Sequence, residues 1–426
     1  MASTLSATAR RHLRRNFRLG LVNGAFYNLS RSLLDPSLVL TWLASQLTSS
    51  NFLIGLVVPI NQGGWFLPQL LISGYLQGRE RKLPLYVAMS APRAICWASM
   101  ALALFLIPDR AVLLILFYTL LTAYSLGEGL AGLSFMDFVA KAIPSTRRGA
   151  FFGWRRFLGG VLALGGSLVV KYVLDERRGL AFPDNFGILF TLSFLAISGA
   201  MISFGLFVEP VEPVLNQSVA LLGQLKRALD LPRRDDNYGR LLVVQFLARG
   251  AGMATPFYIV YAQRALGVSA GMVGVYLTWA TLAGIVSTLI WGRLSDQRGN
   301  RGVILLVGLV GLATPLAALL IPWLVRGQPS VAAQAFAIVF VLSSIFQMGL
   351  PIGYHNYLLD IAPAEDRPLY IGLANTLTGL TVLASAIGGL IVDLTGLAVL
   401  FWLAAAFYAG SLLLAGGLWE PRENVS

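Results

Sequence analysis

The chain has 426 residues, 56% of them hydrophobic and 12% charged, and its mean hydropathy is +0.71. Soluble domains carry roughly a quarter charged residues, so a water-exposed fold of this size is excluded and a polytopic membrane protein is expected. The net charge of +12 is then read as basic residues that orient spans rather than as nucleic-acid contact, and one cysteine with two histidines excludes an intramolecular disulfide and argues against a Cys/His metal site.

Residues 1–18 form a basic segment that leads into a full-length apolar stretch without an A-x-A-like site, so no cleavable signal peptide is expected. A spanning helix takes about 20 apolar residues, and twelve such segments follow. They are 19–45, 52–76, 83–107, 111–137, 149–173 and 187–208, then 240–262, 270–292, 302–325, 331–357, 369–392 and 397–419. The expected class is an all-α membrane protein with twelve transmembrane helices in two pseudo-symmetric six-helix bundles, 19–208 and 240–419. A polar linker, 209–239, joins them and a tail, 420–426, follows. In the linker, Val214, Val219, Leu222, Leu225 and Leu229 recur beside Lys226 and Arg227, as in a helix lying on a membrane surface. Basic residues divide 23 to 6 between the two sides, three more falling inside spans. That imbalance puts both termini and the linker in the cytoplasm, with the chain in the inner or plasma membrane.

The halves match at an offset of 218–219 residues. Gly74-Tyr-Leu corresponds to Gly292-Arg-Leu, Pro144 to Arg148 with Gly153 corresponds to Pro363 to Arg367 with Gly372, and Arg31 corresponds to Arg249. Parallel repeats of this kind build transporters that rock one half against the other around a midplane site. Locally, Gly292 is expected to allow a tight turn, and Asp296 and Arg298 to pair with each other or with helix ends. The stretch Gly292-Arg-Leu-Ser-Asp296-Gln-Arg298-Gly299-Asn-Arg301 resembles the G-x-L-x-D-x-x-G-x-[RK] signature of the major facilitator superfamily (MFS). Its first copy, around Gly74 and Arg79, has Gly78 in place of the Asp, and Pro144 to Gly149 is similar to the family's P-x-x-x-R-G stretch. The resemblance covers essentially the whole chain. It implies the MFS fold, alternating access, a monomer, and a gating latch formed by Gly292, Asp296, Arg298, Gly299 and Arg301 with Gly74 and Arg79. It also implies that spans one, four, seven and ten surround the central cavity.

Ionisable residues inside spans cost about 2.5–3.5 kcal/mol each and usually face a cavity or a partner. Here they are Arg31, Asp35, Arg93, Glu128 and Arg249, with Asp137, His355 and Asp393 nearer the ends. Arg31 and Asp35 lie four apart, on one face of a continuous helix, where an ion pair is expected. Arg93 is expected to be a structural partner for an acid in a neighbouring helix. Arg31 and Arg249, at matching repeat positions, would present two guanidiniums that bind carboxylate or phosphate as bidentate forks. The resemblance adds that organophosphate:phosphate antiporters of the superfamily carry a similar pair. Asp35 and Glu128 are candidates for proton coupling, or for permanent pairing with the arginines. Asn61, Trp65, Gln245, Gln347, Tyr354 and Asn375 are candidate polar and aromatic contacts for the solute, with Gln69 and Thr376 beside them.

The expected function is secondary active transport of a small solute, anionic or otherwise, as an antiporter or a proton symporter. The partners are the solute, a proton or counter-substrate, and the bilayer. No cofactor is expected, and the absence of a G-x-x-x-x-G-K-[ST] loop argues against ATP use. Paired histidines and H-E-x-x-H are absent, so the chain is not read as an enzyme. The alternatives are proton-driven export of lipophilic compounds and a non-transporting role in membrane assembly or lipid handling.

Overall fold

The computed structural model describes residues 7–77, 81, 83–210, 229–363 and 366–420, and every described element is helical. The side chains of 7–10, 65–77, 133, 136–138, 140, 145 and 368 are outside that description, as are Arg79 and the linker from 211 to 228. Eight described helices are long and apolar enough to cross a membrane. Leu106, Leu394 and Leu413 on three of them are 74%, 84% and 80% exposed, an apolar surface suited to lipid rather than water. By contacts the chain divides into two compact units: Met1–Thr48 with Ile60–Gln217, and Ser49–Pro59 with Ser218–Ser426.

The first unit opens with α1 (Ala7–Leu33), which stops short of the continuous first span expected from the sequence. Proline lacks an N–H and pushes the preceding residue out of helical geometry. Accordingly, Asp35, before Pro36, has φ −59° and ψ 124°. The chain re-enters helix through a π turn, Pro36–Leu40, and α2 (Thr41–Leu47). Then come α3 (Asn51–Gln77), α4 (Leu83–Leu106), α5 (Arg110–Ala142), α6 (Ser145–Val173) and α7 (Asp184–Gly205). Helix α1 packs along α6 and α7, and α4 packs against α5 and α7. Contact between α1 and α6 is close because small residues face large ones, as membrane helices require: Gly20 receives Phe151, Gly24 receives Arg155, and Gly159 receives Asn28.

In the second unit α8 (Asp236–Gly250) gives way to a 3-10 turn, Ala251–Ala254, and α9 (Thr255–Leu266) carries Pro256 in its first turn. The expected seventh span is therefore also broken, at the place corresponding to the break after α1. Helix α10 (Gly271–Leu324) is interrupted at Gly299, whose φ of 77° and ψ of 168° suit glycine and strain other residues. Its two limbs, 271–298 and 300–324, are separate helices joined at this kink. After α11 (Pro329–Ala335) and α12 (Ala337–Ile361) the expected eleventh span also divides, into α13 (Arg367–Thr381) and α14 (Ala384–Thr395). There Thr381 Oγ1 donates back to the Thr378 carbonyl at 2.7 Å, a side-chain bond that competes with the helical ladder. Helix α15 (Leu397–Ala415) closes the described spans. It packs on α8 and on α10, which also packs on α12.

Candidate functional site

The interior of the first unit is organised around one carboxylate. Glu128 on α5 is 2% exposed, and three donors converge on its Oε1. Tyr27 Oη lies at 2.5 Å, Arg31 Nη1 at 3.3 Å and Arg93 Nη2 at 3.5 Å. The two arginines differ in access, the Arg31 side chain being 41% exposed and that of Arg93 only 4%. Arg93 Nη2 also donates to Tyr124 Oη at 3.1 Å, and Trp97 stacks on the Tyr124 ring with centroids 4.0 Å apart. The acid partner expected for Arg93 in a neighbouring helix is thus Glu128. Further along the same face of α1, Asn23 Oδ1 and the Gly20 carbonyl accept from Arg155 Nη1 at 2.8 and 2.9 Å.

Asp35 does not pair with Arg31. Because α1 ends at Leu33, the two residues do not share a continuous helical face. Asp35 Oδ1 instead accepts from the backbone N–H of Ser37 and Leu38 at 3.0 and 2.9 Å, capping the π turn, and Arg31 turns to Glu128.

In the second unit Arg249 occupies the last turn of α8, as Arg31 does in α1. Among the described residues it forms no ion pair, and its Nε is buried without a hydrogen-bond partner. It lies in a crevice too tight to admit water, lined by Leu242, Gln245, Phe246, Ala374, Leu377 and Thr378. Gln245 Nε2 donates to Thr378 Oγ1 at 3.1 Å. Thr378 escaped the sequence reading, which named Asn375 and Thr376 on the same helix; both are exposed. Tyr354 is buried and interacts electrostatically with Arg249, Gln347 is exposed, Asn61 in the first unit is buried, and the Trp65 and Gln69 side chains lie outside the described set.

The turn expected at Gly292 lies at Gly299. Gly292 sits within α10, and a Cβ there would meet nothing within 4 Å, whereas a Cβ on Gly299 would fall 2.6 Å from the Glu420 carboxylate. That carboxylate accepts from the Arg301 backbone N–H at 3.3 Å, and Arg301 Nη2 donates to the Gly416 carbonyl at 2.9 Å. The acid on this helix start is therefore Glu420, while Asp296 and Arg298 are exposed. The first unit holds a counterpart: Glu209 Oε2 accepts from the Leu83 N–H at 2.8 Å, at the start of α4. Each half thus ends in Glu-Pro, Glu209-Pro210 and Glu420-Pro421, with the carboxylate on the helix start that follows the signature loop. Gly74 lies in α3, and Arg79 lies outside the described residues.

Residues 241–425 match the family model of the Major Facilitator Superfamily. The match covers the second unit's spans, and it is there that the family is seen in sequence. The fold of the chain is similar to that of a bacterial homologue of the iron transporter ferroportin in an inward-facing state, with a TM-score of 0.69 at 11% identity over 96% of this chain and 98% of that one. It is also similar to a D-xylose-proton symporter, with a TM-score of 0.68 at 15% identity over 96% and 97%, and to the nucleoside transporter NupG, with 0.69 at 13% over 95% and 99%. In sequence it is 23% identical to an uncharacterized protein of Mycobacterium tuberculosis over 87% of this chain and 70% of that protein. The match over 241–425 and the eight long apolar helices indicate an integral multi-pass membrane protein with the fold of these transporters.

Proposed function

We propose that this MFS protein is a twelve-span secondary carrier for a small anionic solute, with both termini cytoplasmic in the cell membrane and Arg31 and Arg249 as the anion-contacting groups of their respective halves. One observation carries the reading. Each arginine stands in the last turn before a break in the first span of its half, and interrupted segments at corresponding positions of two repeats point to the solute site of a carrier. Charge supports it further. Arg31 and Arg93 share the single carboxylate of Glu128, Asp35 is bonded to backbone, and Arg249 has no ion pair among the described residues, so each half offers net positive charge. An exporter of lipophilic cations would instead present an acid as the net charge. Glu128 does not suit that role, because two guanidiniums surround it.

The test is a thermal-shift screen of the purified full-length protein against matched anionic, neutral and cationic metabolites, with Arg31→Ala and Arg249→Ala beside it. A ligand held only by the folded state adds about 2.7 kcal/mol at a hundredfold excess over Kd. Stabilisation by carboxylates or phosphates that is lost in both variants is the expected result. Stabilisation only by lipophilic or cationic compounds, indifferent to both substitutions, would replace the anion reading with export.

A further inference from the structure

We propose that Glu128 is a carboxylate switch. It is held by Arg31 when the site is empty and withdraws onto Arg93 when an anion takes Arg31, with Arg93 as the positioning residue that makes anion binding independent of protons. This rests on the anion reading above and settles its coupling as exchange of one anion for another.

Three features of the first unit lead there. All three donors reach the same oxygen of Glu128, Oε1, and Oε2 accepts from none of the described residues. Arg93 has spare capacity on that side: its Nε is buried without a hydrogen-bond partner, while its Nη2 already stands 3.5 Å from Oε1. A small rotation of the Glu128 side chain therefore converts one long contact into a bidentate fork, the stronger arrangement for an arginine and a carboxylate. Finally, the backbone of α5 makes room for Arg93 next to its carboxylate, since a Cβ on Gly127 would fall 2.9 Å from Arg93 Cγ.

Charge bookkeeping gives the consequence. The ionisable groups that face Glu128 are Tyr27 and Arg31 from α1, Arg93 from α4 and Tyr124 from its own helix. With the tyrosines neutral, two guanidiniums and one carboxylate leave the cluster at +1. An anionic group on Arg31 cancels that charge while Glu128, seated on Arg93, stays ionised. No proton is required, and Tyr27 Oη is released to donate to the solute. Without Arg93 the displaced carboxylate would stand unpaired in a medium of low dielectric and would take up a proton. The empty cluster keeps its positive charge within the span, so the unloaded carrier crosses between states less readily than the loaded one, as an exchanger requires.

The experiment is calorimetric titration of the full-length protein at pH 7.5 with succinate and with sulfate, neither of which titrates there, in buffers of different ionisation enthalpy. Its readout is the number of protons taken up per anion bound. Wild type is expected to take up none, Arg93→Gln about one with weakened affinity, and Glu128→Gln none with affinity raised about tenfold, because the internal competitor for Arg31 is gone. Uptake of a proton by wild type, or weaker anion binding by Glu128→Gln, overturns the switch. Proton-free binding by a folded Arg93→Gln does so as well. If Arg93→Gln does not fold, the wild-type and Glu128→Gln results decide alone. Binding of neither anion by wild type or by Glu128→Gln overturns the anion reading itself, an outcome distinct from binding with the wrong proton count.

Discussion

A guanidinium in a bilayer costs about 2.5–3.5 kcal/mol on insertion scales, and the three span arginines offset it differently. Arg93 is enclosed by Glu128, Tyr124 and the Tyr124 ring face 4.9 Å away. Arg31 shares the same acid but stays partly open, and Arg249 stands at a helix C-terminus, where the backbone dipole favours a cation. Arg249→Lys keeps the charge and loses the fork, so it should weaken an anionic ligand much more than a neutral one in the thermal-shift assay. Equal losses for both would make Arg249 structural. Asp35 gives a cleaner division. Asn retains the capping oxygen, so Asp35→Asn should leave transport and stability near wild type, while Asp35→Ala should cost about 0.5–2 kcal/mol of stability as caps do. Loss of transport in a stably folded Asp35→Asn would make Asp35 a proton carrier instead. The span charges themselves were legible in the sequence, because an Arg or Glu stands out in an apolar run. Their pairing was not. Whether Arg31 meets Asp35 or Glu128 depends on where α1 ends and on which neighbour packs there, and a sequence spacing of four residues assumes an unbroken helix.

Among the elements, Pro36 and Pro256 were visible as letters, yet both lie within runs apolar enough to be read as single spans. The break is decided by the backbone around them: a capping Asp and a π turn in one half, a 3-10 turn in the other. The Glu-Pro ends escaped for a different reason. Glu209 and Glu420 lie 420 − 209 = 211 residues apart, off the repeat offset of 218–219, because they depend on the lengths of the connecting segments. Each places a carboxylate on an N–H in the first turn of a helix, a favourable end for negative charge. Glu209→Ala and Glu420→Ala should each lower stability by about 0.5–2 kcal/mol in chemical denaturation. Gly299→Ala should cost more than Glu420→Ala, since it combines a backbone conformation costing about 1–3 kcal/mol for other residues with collision against the Glu420 carboxylate. A Gly299→Ala protein as stable as wild type would show that this turn is not under the constraint described.

For the molecule as a whole, the multi-pass class was legible because long apolar runs survive without knowledge of packing. The signature loop was legible as a motif, whereas the turn at Gly299 and the Glu420 carboxylate beside it were not. Asp296→Asn should therefore slow transport in proteoliposomes while leaving ligand affinity unchanged if the exposed acid acts in gating; unchanged transport would limit the loop to the Gly299–Glu420 contact. The pairing of Arg31 with Glu128 also bears on how the protein is made. The two residues are 97 apart in sequence, and ribosomes extend a chain at about 5–20 residues per second, so for some 5–20 seconds the first span waits at the translocon with its guanidinium unmatched. A nascent chain truncated before Glu128 should integrate that span less efficiently than one reaching past it, making α5 a partner in the biogenesis of α1.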